Sequence, residues 1–400
     1  MDIDVSSWLS LLLRWFHLMA GIMWIGTSFY FISAQNALKP PASDADKKAG
    51  VGGELWEVHG GGFYHKKKYT VAPDFMPADL IWYKWEAYLT WLSGIFLLCL
   101  MYYFNADLYL IDPNKMPLTK FQATFTGLGF ITAGWLIYDG LCKSPLGKNN
   151  ALFGLVWFLI VTLAAYALNH VFSGRGAFMH VGAIIGSVMA INVFAIIIPN
   201  QKKTVAALLA DKKPDPALGK KAGQRSLHNN YMTLPVLLIM ISNHFPMLFG
   251  HPHNWAVLAG LSGAAWLFRH FMNLHEQGVL NARYAAAAVG VALVTVFGAS
   301  WKIDNAAPAN DGTAVSMTEV RNIIQQRCVS CHSDTPTQDG IDAAPKGVMF
   351  DKMDEIKKYA PRILEQAVEH DTMPLGNITG MTADERAALG RGLKAVTGSK

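Results

Sequence analysis

Eight long apolar segments constrain the fold of this chain more than any other feature of its sequence. Each contains about 20 mostly apolar residues, which as a helix can cross a hydrocarbon core of about 30 Å. Charged residues make up only 16% of the 400, against roughly 25% in soluble proteins. The sequence therefore predicts an all-α fold in which residues 1–302 form an eight-helix transmembrane bundle in a lipid bilayer. The predicted spans are 8–32, 80–104, 119–140, 151–170, 177–199, 230–249, 254–272 and 284–301.

The distribution of lysine between the loops predicts the orientation of this bundle. Loops 33–79 and 200–229 are rich in Lys, whereas alternate loops contain few basic residues. Because Lys and Arg accumulate on the cytoplasmic side, both termini are predicted to face the periplasm of a bacterial inner membrane. The net charge of +5 comes from these loops. It therefore indicates topology and not a nucleic-acid partner, for which the sequence has no motif.

The composition changes abruptly after Trp301. An Ala-, Pro-, Asn- and Gly-rich linker at 303–314 precedes a polar segment, 315–400, with helical patterns at both ends. The motif Cys328, Cys331, His332 lies in this segment. Cys-x-x-Cys-His is the attachment motif of c-type haem, in which two thioethers hold the porphyrin and the histidine binds the iron.

Met373, in a Met-Pro loop, is the predicted second axial ligand of this haem. A thioether opposite a histidine raises the reduction potential, which suits an electron acceptor. Two other readings are weaker: a thioredoxin-type motif needs a preceding strand, and a zinc site needs two further ligands where the tail offers only His370. The sequence therefore predicts a small class I cytochrome c-like helical domain with one covalent haem c.

Ionisable and amide side chains recur in the half of the bundle predicted to be outer. Because such residues are costly in a membrane, they are candidates for function. They form either a chamber for haem b or for an anionic substrate, or ordinary interhelical hydrogen bonds. A haem b would be bound by His17 and one of the other histidines, with Arg14 beside a propionate or the anion. The residues are Arg14, His17, Asn169, His170, Arg175, His180, Asn243 and His244.

A second polar set is predicted on the inner side. Part of it lies in the Gly-rich stretch "GGELWEVHGGGFYH", which contains Glu54, Glu57, His59 and His65. Carboxylates with imidazoles can bind a metal or act as a general base. A solvated re-entrant loop is the structural alternative. The remaining members are Asp139, His228, Arg269, His270, His275 and Glu276.

Three stretches resemble the bacterial membrane-bound urate hydroxylases, which join an eight-helix urate oxidase domain to a C-terminal cytochrome c. They are "WLSLLLRWFHLMAGIMWIGTSFYF", "GVGGELWEVHGGGFYHKKKY" and "DFMPADLIWYKWEAYLTWLSG". The resemblance covers essentially the whole chain. It implies oxidation of urate to 5-hydroxyisourate in purine catabolism, with electrons passed through cytochrome c to a respiratory-chain acceptor, either a soluble cytochrome c or a terminal oxidase.

The resemblance carries the haem residues over directly to Cys328, Cys331, His332 and Met373, but it does not locate the urate site. Glu57, His59 and His65 are the predicted base and anion-binding groups. About 30 Å of hydrocarbon separates them from the haem, so either urate reacts in the outer chamber or a second redox centre lies in the bundle. The alternatives are a quinol- or carrier-linked electron-transfer subunit without urate chemistry, and a transporter with a fused cytochrome.

Overall fold

A computed structural model describes residues 5–73, 77, 79–300, 315–338, 341 and 343–397. The protein is mostly helical, because a helix satisfies the backbone hydrogen bonds of an apolar segment within the segment itself. The helices of the bundle are α1 (Val5–Ala37), α2 (Asp44–Lys48), α3 (Trp85–Leu98), α4 (Ala106–Tyr109), α5 (Lys120–Lys143), α6 (Asn150–Val171), α7 (Gly174–Ile191), α8 (Ile198–Leu209), α9 (Pro216–Ser242), α10 (Pro246–Phe249), α11 (Asn254–Glu276) and α12 (Ala282–Ser300). Wider helical turns at Cys99–Tyr103 and Asn192–Ile197 extend α3 and α7, and a tight turn at Pro145–Lys148 precedes α6.

Six of these helices are long and apolar enough to cross a membrane, two fewer than predicted. They are α1, α3, α5, α6, the continuous pair α7–α8, and α12. The two exceptions, α9 and α11, pack inside the bundle and carry buried polar side chains such as Arg225 and Arg269. Segment 200–229, predicted as a loop, is largely helical in α8 and α9.

The outer faces of the six apolar helices present large apolar side chains. Soluble proteins rarely expose contiguous apolar patches larger than a few hundred Å². Exposed examples are Leu12, Phe125, Leu159, Leu163, Val294 and Phe297.

Helix α7 is the most deeply buried element of the bundle, and glycines on its neighbours let it approach them closely. A Cβ atom at Gly127 of α5 would lie 2.3 Å from His180 Nε2, and one at Gly134 would lie 2.6 Å from Ile184. Small residues at such crossings allow close backbone contact. The positions on α7 are therefore fixed by packing.

The Gly-rich stretch forms a β-hairpin, so the all-α prediction is wrong at this point. Strand β1 (Val51–His59) pairs antiparallel with β2 (Gly62–Tyr69). Gly60 and Gly61 form the turn with φ of +58° and +81°, the left-handed conformation that two-residue hairpin turns require and that glycine adopts without strain. Lys39, just after α1, bridges to Glu54 of β1. The end of the bundle from which the hairpin extends is called the hairpin end.

The C-terminal unit contains α13 (Met317–Arg327), α14 (Met353–Ile363) and α15 (Ala383–Thr397). Helical turns at Pro345–Gly347, Leu364–Glu369 and Leu375–Asn377 complete it. Its own apolar core includes Val320, Ile324, Ile356, Leu389 and Leu393. The predicted linker 303–314 lies outside the described residues.

The C-terminal unit contacts the bundle at the end opposite the hairpin, called the docking end. A Cβ atom at Gly376 would lie 2.6 Å from the Asp107 carbonyl oxygen, and one at Gly250 would lie 2.5 Å from the His370 carbonyl oxygen. The Met373 loop therefore lies directly against α4 and the segment after α10.

Candidate functional site

A cavity of about 700 Å³ lies at the hairpin end, between α6, α9 and α11. Its walls are mainly aromatic and apolar, and among the described residues that line it none is acidic. The aromatic and polar lining residues are Asn36, Asn150, Phe153, Trp157, Phe158, His228, Tyr231, Trp266, His270, Asn273 and Gln277. A large apolar cavity with a few polar groups is the usual form of a small-molecule site.

His228 presents a ring N–H that is left without a protein partner. Its Nδ1 lies 2.8 Å from the Tyr138 hydroxyl, which accepts the Asn192 amide N–H at 3.0 Å. The Asn192 amide is oriented by Arg225, which donates to its Oδ1 at 3.2 Å. We assign Tyr138 as the donor to Nδ1, which places the ring hydrogen of His228 on Nε2. This buried N–H has no hydrogen-bond partner among the described residues.

Asn273 presents a second such N–H through the same logic. Arg269 Nε donates to Asn230 Oδ1 at 2.6 Å, which orients the Asn230 amide so that its Nδ2 donates to Asn273 Oδ1 at 3.2 Å. The Nδ2 of Asn273 is buried and, within the described part of the chain, makes no hydrogen bond of ordinary distance and angle, although the Tyr231 hydroxyl lies beside it. Two chains of hydrogen bonds, each beginning at a buried arginine, thus end in free donors on one cavity.

Unpartnered buried donors are uncommon because each costs about 1–3 kcal/mol. Each arginine behind them is paired with a carboxylate: Arg225 Nη2 lies 2.6 Å from Asp139 and Arg269 Nη1 lies 3.5 Å from Glu276. Asp139 is shared with Lys143 at 2.5 Å, so this group of three side chains keeps one net positive charge. The cavity is therefore arranged to accept a ligand with hydrogen-bond acceptors and negative charge.

The predicted hairpin residues lie apart from this cavity's lining. Glu57 accepts hydrogen bonds from Tyr30 at 2.7 Å and Lys66 at 2.5 Å, and His59 is exposed near the turn. The His65 ring stacks on Trp56 at 4.1 Å and bonds Glu54 at 2.9 Å. The hairpin side chains are thus largely paired with one another.

The charge of Glu54 is favoured by its neighbours. Hydrogen bonds from the Ala42 amide and the His65 ring hold the pKa of Glu54 below its ordinary value. Among the described residues, no group of three or more His, Cys, Asp or Glu side chains lies close enough to hold a metal ion. The metal-binding reading of this loop therefore has no support within the described part of the chain.

The polar residues near the docking end are mostly paired across helices, as the structural alternative expected. Arg175 Nε donates to Asn243 Oδ1 at 2.9 Å, and Lys115 Nζ donates to Asn169 Oδ1 at 3.2 Å. Burial lowers the pKa of Lys115. His170 bonds the Tyr166 carbonyl on its own helix. These contacts pair most of the polar residues that the sequence assigned to a chamber.

His17 and His180 also lie in closely packed helix contacts. His17 Nδ1 bonds the Thr90 carbonyl at 3.0 Å, and its ring packs on Gly94. Both ring nitrogens of His180 are occupied, by the Gly176 carbonyl at 2.8 Å and the Tyr103 hydroxyl at 3.2 Å. This packing does not fit a porphyrin bound by His180, and the haem b stays a prediction. Arg14 bonds Ser10 at 3.2 Å and Met101 at 3.5 Å, and His244 is exposed.

The C-terminal motif has a donor set that fits a haem iron. His332 Nδ1 lies 2.9 Å from the Val348 carbonyl. A carbonyl only accepts, so Nδ1 carries the hydrogen and Nε2 keeps its lone pair, as in metal-bound histidines. Cys328 and Met373 pack against the same apolar cluster, and Cys331 follows Cys328 by one helical turn. Two thiols, an imidazole and a thioether are therefore available in one unit.

Sequence reasoning identified part of the cavity and missed the rest. His228, Arg269, His270 and Asp139 were in the predicted inner set, whereas the Tyr138, Asn192, Asn230 and Asn273 side chains were not. A recurrence of asparagine within the helices α9 and α11 was the available signal. Among the other predicted members, Glu276 accepts a hydrogen bond from Asn36 at 2.9 Å, and His275 is exposed.

Comparison with known proteins assigns the bundle to a family. A search of curated proteins and a search of solved structures each found no match. The sequence model of the family described as "Urate oxidase N-terminal" matches residues 4–300. This match spans every helix that builds the cavity and covers well over half of the chain. The chain therefore belongs to the urate oxidase N-terminal family and is a urate oxidase-related protein.

Proposed function

We propose that this protein is a membrane-bound oxidase that converts urate to 5-hydroxyisourate and passes the electrons to a c-type haem in its C-terminal unit. Urate and one water give 5-hydroxyisourate, two protons and two electrons. Family membership supports the substrate and the oxidoreductase class. The remaining parts of the proposal rest on the geometry of the chain.

The observation that carries the haem coupling is the contact between the Met373 loop and the docking end. Cys328 and Cys331 would attach the haem, and His332 and Met373 would bind its iron. When bound, the haem accepts electrons one at a time and delivers them to a respiratory acceptor, either a soluble cytochrome c or a terminal oxidase. The role of the chain is to hold His332 by the Val348 carbonyl and to keep the loop against α4.

The apolar outer faces of six helices support insertion in a lipid bilayer. The lysine distribution supports a bacterial inner membrane with both termini and the C-terminal unit in the periplasm. An engineered cysteine near Lys212 tests the orientation. In intact spheroplasts it is expected to resist a membrane-impermeant thiol reagent, and labelling there would contradict the proposed topology.

Reduction of the haem by urate is the decisive experiment. Under the proposal, urate added anaerobically to purified full-length protein produces the reduced c-haem α-band without any other donor. The alternative, a quinol- or carrier-linked subunit, is favoured by the size and apolarity of the cavity. In that case a short-chain quinol reduces the haem and urate does not.

The cavity and the docking end are far apart. Asn273, at the cavity, and Asn254, near the docking end, lie on α11, about 28 Å apart at 1.5 Å per residue. This is too far for one fast electron transfer, so a further redox group in the bundle is expected. Acid-acetone extraction of the wild-type protein, which removes non-covalent haem and leaves covalent haem c in place, tests for haem b in the extract. A pyridine haemochrome spectrum without b-type haem would leave His17 with a packing role only.

A further inference from the structure

We infer that the cavity at the hairpin end is the urate-binding site, and that His228 and Asn273 are its anion-recognising residues. This inference rests on the proposed function, because it names where the substrate of that reaction binds. It assigns a site outside the hairpin residues and outside the polar residues of the docking end.

Hydrogen-bond polarity is the first argument. His228 Nε2–H and Asn273 Nδ2–H both lie on the cavity without a partner among the described residues. Each is at the end of a chain that starts at a buried arginine, so the donor is polarised towards the ligand. Urate near neutral pH is a monoanion whose carbonyl oxygens and deprotonated nitrogen accept hydrogen bonds. The free groups of the cavity and of urate are therefore complementary.

Shape is the second argument. The Phe153 ring stacks on the imidazole of His228 with centroids 4.2 Å apart and planes 14° apart. This stack fixes the direction of Nε2–H relative to the aromatic wall. Trp157, Phe158 and Trp266 continue that wall. Flat aromatic surfaces beside oriented donors suit a planar heterocycle.

Charge separates urate from a neutral ring such as a quinone. No acidic side chain is among the described lining residues. Arg225 and Arg269, 4% and 0% exposed, lie three and two hydrogen bonds behind the lining residues His228 and Asn273. A buried positive potential strengthens binding of an anion more than that of a neutral acceptor. The site is therefore expected to prefer urate over hypoxanthine, a neutral purine of similar shape.

An isosteric substitution tests the donor. Urate binding to purified full-length protein is measured by isothermal titration calorimetry, with a monodisperse gel-filtration profile in detergent as the folding check. Asn273→Asp replaces the N–H by a carboxylate oxygen, and we expect its affinity for urate to fall at least about tenfold. The matched control is Asn281→Asp. It makes the same change outside the cavity lining, where the side chain only accepts from the Arg283 amide, and it should bind urate as the wild type does.

A cavity-filling pair keeps the test valid if the first variant fails to fold. A Cβ at Gly263, which lines the cavity, meets only Phe158, at 3.8 Å, so the larger side chain of Gly263→Leu should occupy part of the cavity. The control is Gly129→Leu, on an exposed face of α5 with nothing within 4 Å. We expect loss of urate binding in the first and wild-type binding in the second.

The outcomes separate this inference from the proposed function. If urate reduces the wild-type haem but Asn273→Asp and Gly263→Leu both bind urate normally, the cavity is not the site and the function stands. If the wild type binds urate and Gly263→Leu abolishes that binding, but urate does not reduce the wild-type haem, the site stands and the proposed redox function fails. The inference is overturned if the wild type binds a short-chain quinone but not urate, and Gly263→Leu abolishes the quinone binding.

Discussion

The two ends of the bundle contain the same kinds of polar residue but use them differently. At the docking end, Arg175 and Lys115 donate to the amide oxygens of Asn243 and Asn169. At the hairpin end, the chains that begin at Arg225 and Arg269 end in unpartnered N–H groups beside the large cavity. The docking end also leaves an unpartnered atom, but it is an acceptor, Asn254 Oδ1. What distinguishes the hairpin end is that two of its unpartnered groups, on His228 and Asn273, lie on the lining of a large cavity.

The two ends of the bundle therefore have different roles. The hairpin end is built to bind, because its donors are buried and pre-oriented by packing. The docking end contacts the C-terminal unit, because the backbone carbonyls of Asp107, Leu108 and Ile111 lie against Gly376, beside the Met373 loop. The predictions below test each end separately.

The largest effect is expected at Met373, the proposed second axial ligand of the haem that would accept electrons at the docking end. Met373→Ala should abolish the His/Met spectrum and lower the reduction potential while leaving the haem covalently attached. Visible spectroscopy with a redox titration measures both. Met353→Ala, in α14 of the same unit, is the control. An unchanged spectrum in the Met373 variant would mean that another side chain binds the iron.

The next effect compares two arginines, one from each end. Arg269 is fully buried, bonds Asn230 and lies over the Phe29 ring at 4.1 Å. Arg269→Met should lower the free energy of unfolding by about 3–5 kcal/mol, because Glu276 loses its buried counter-charge. Arg175 has no carboxylate partner among the described residues and donates to the Asn243 amide instead, so Arg175→Met at the docking end should cost about 1 kcal/mol. Equal losses in denaturant unfolding would contradict the proposed contrast between the ends.

A smaller effect is expected from the glycine at the contact between the two units. A Cβ atom at Gly376, where φ is +59°, would lie 2.6 Å from the Asp107 carbonyl oxygen. A Cβ atom at Gly347, where φ is +65°, would have nothing within 4 Å. Gly376→Ala and Gly347→Ala should each cost about 1–2 kcal/mol for the left-handed backbone. Only Gly376→Ala should also speed amide hydrogen exchange at 106–111 and slow haem reduction by urate. Equal exchange in the two variants would mean that the contact does not hold the units together.

The sequence predicted the features that depend on local pattern and missed those that depend on contacts between distant segments. Apolar runs give helices wherever they occur, so most helices were found. The hairpin was missed because glycines weaken the alternating strand pattern, although Gly60 and Gly61 fit its turn. The asparagine and tyrosine relays behind the cavity were missed because the relay from Arg225 through Asn192 to Tyr138 joins three helical segments that only packing brings together.

The smallest effect is expected within the C-terminal unit, at the residue preceding the haem motif. Arg327 bonds both carboxylate oxygens of Glu385, at 2.9 and 3.1 Å, and the Thr382 amide donates to Glu385 at 2.8 Å. Burial raises the pKa of Glu385, but the Arg327 and Thr382 hydrogen bonds outweigh it and hold that pKa below its ordinary value of 4.5. A lowered pKa in the folded state stabilises the fold above pH 4.5, and this stability is lost as the pH falls through the folded-state pKa.

Glu385→Gln should therefore lower the free energy of unfolding of this unit by about 1 kcal/mol at pH 7. The difference from wild type should shrink towards zero in acid, because both side chains are then neutral. Denaturant unfolding followed by haem absorbance across this pH range measures it. Glu319→Gln, on the exposed face of α13, is the control and should not reproduce the pH dependence. If the difference in free energy of unfolding between Glu385→Gln and wild type persists at low pH, the carboxylate charge is not what stabilises the contact between α13 and α15.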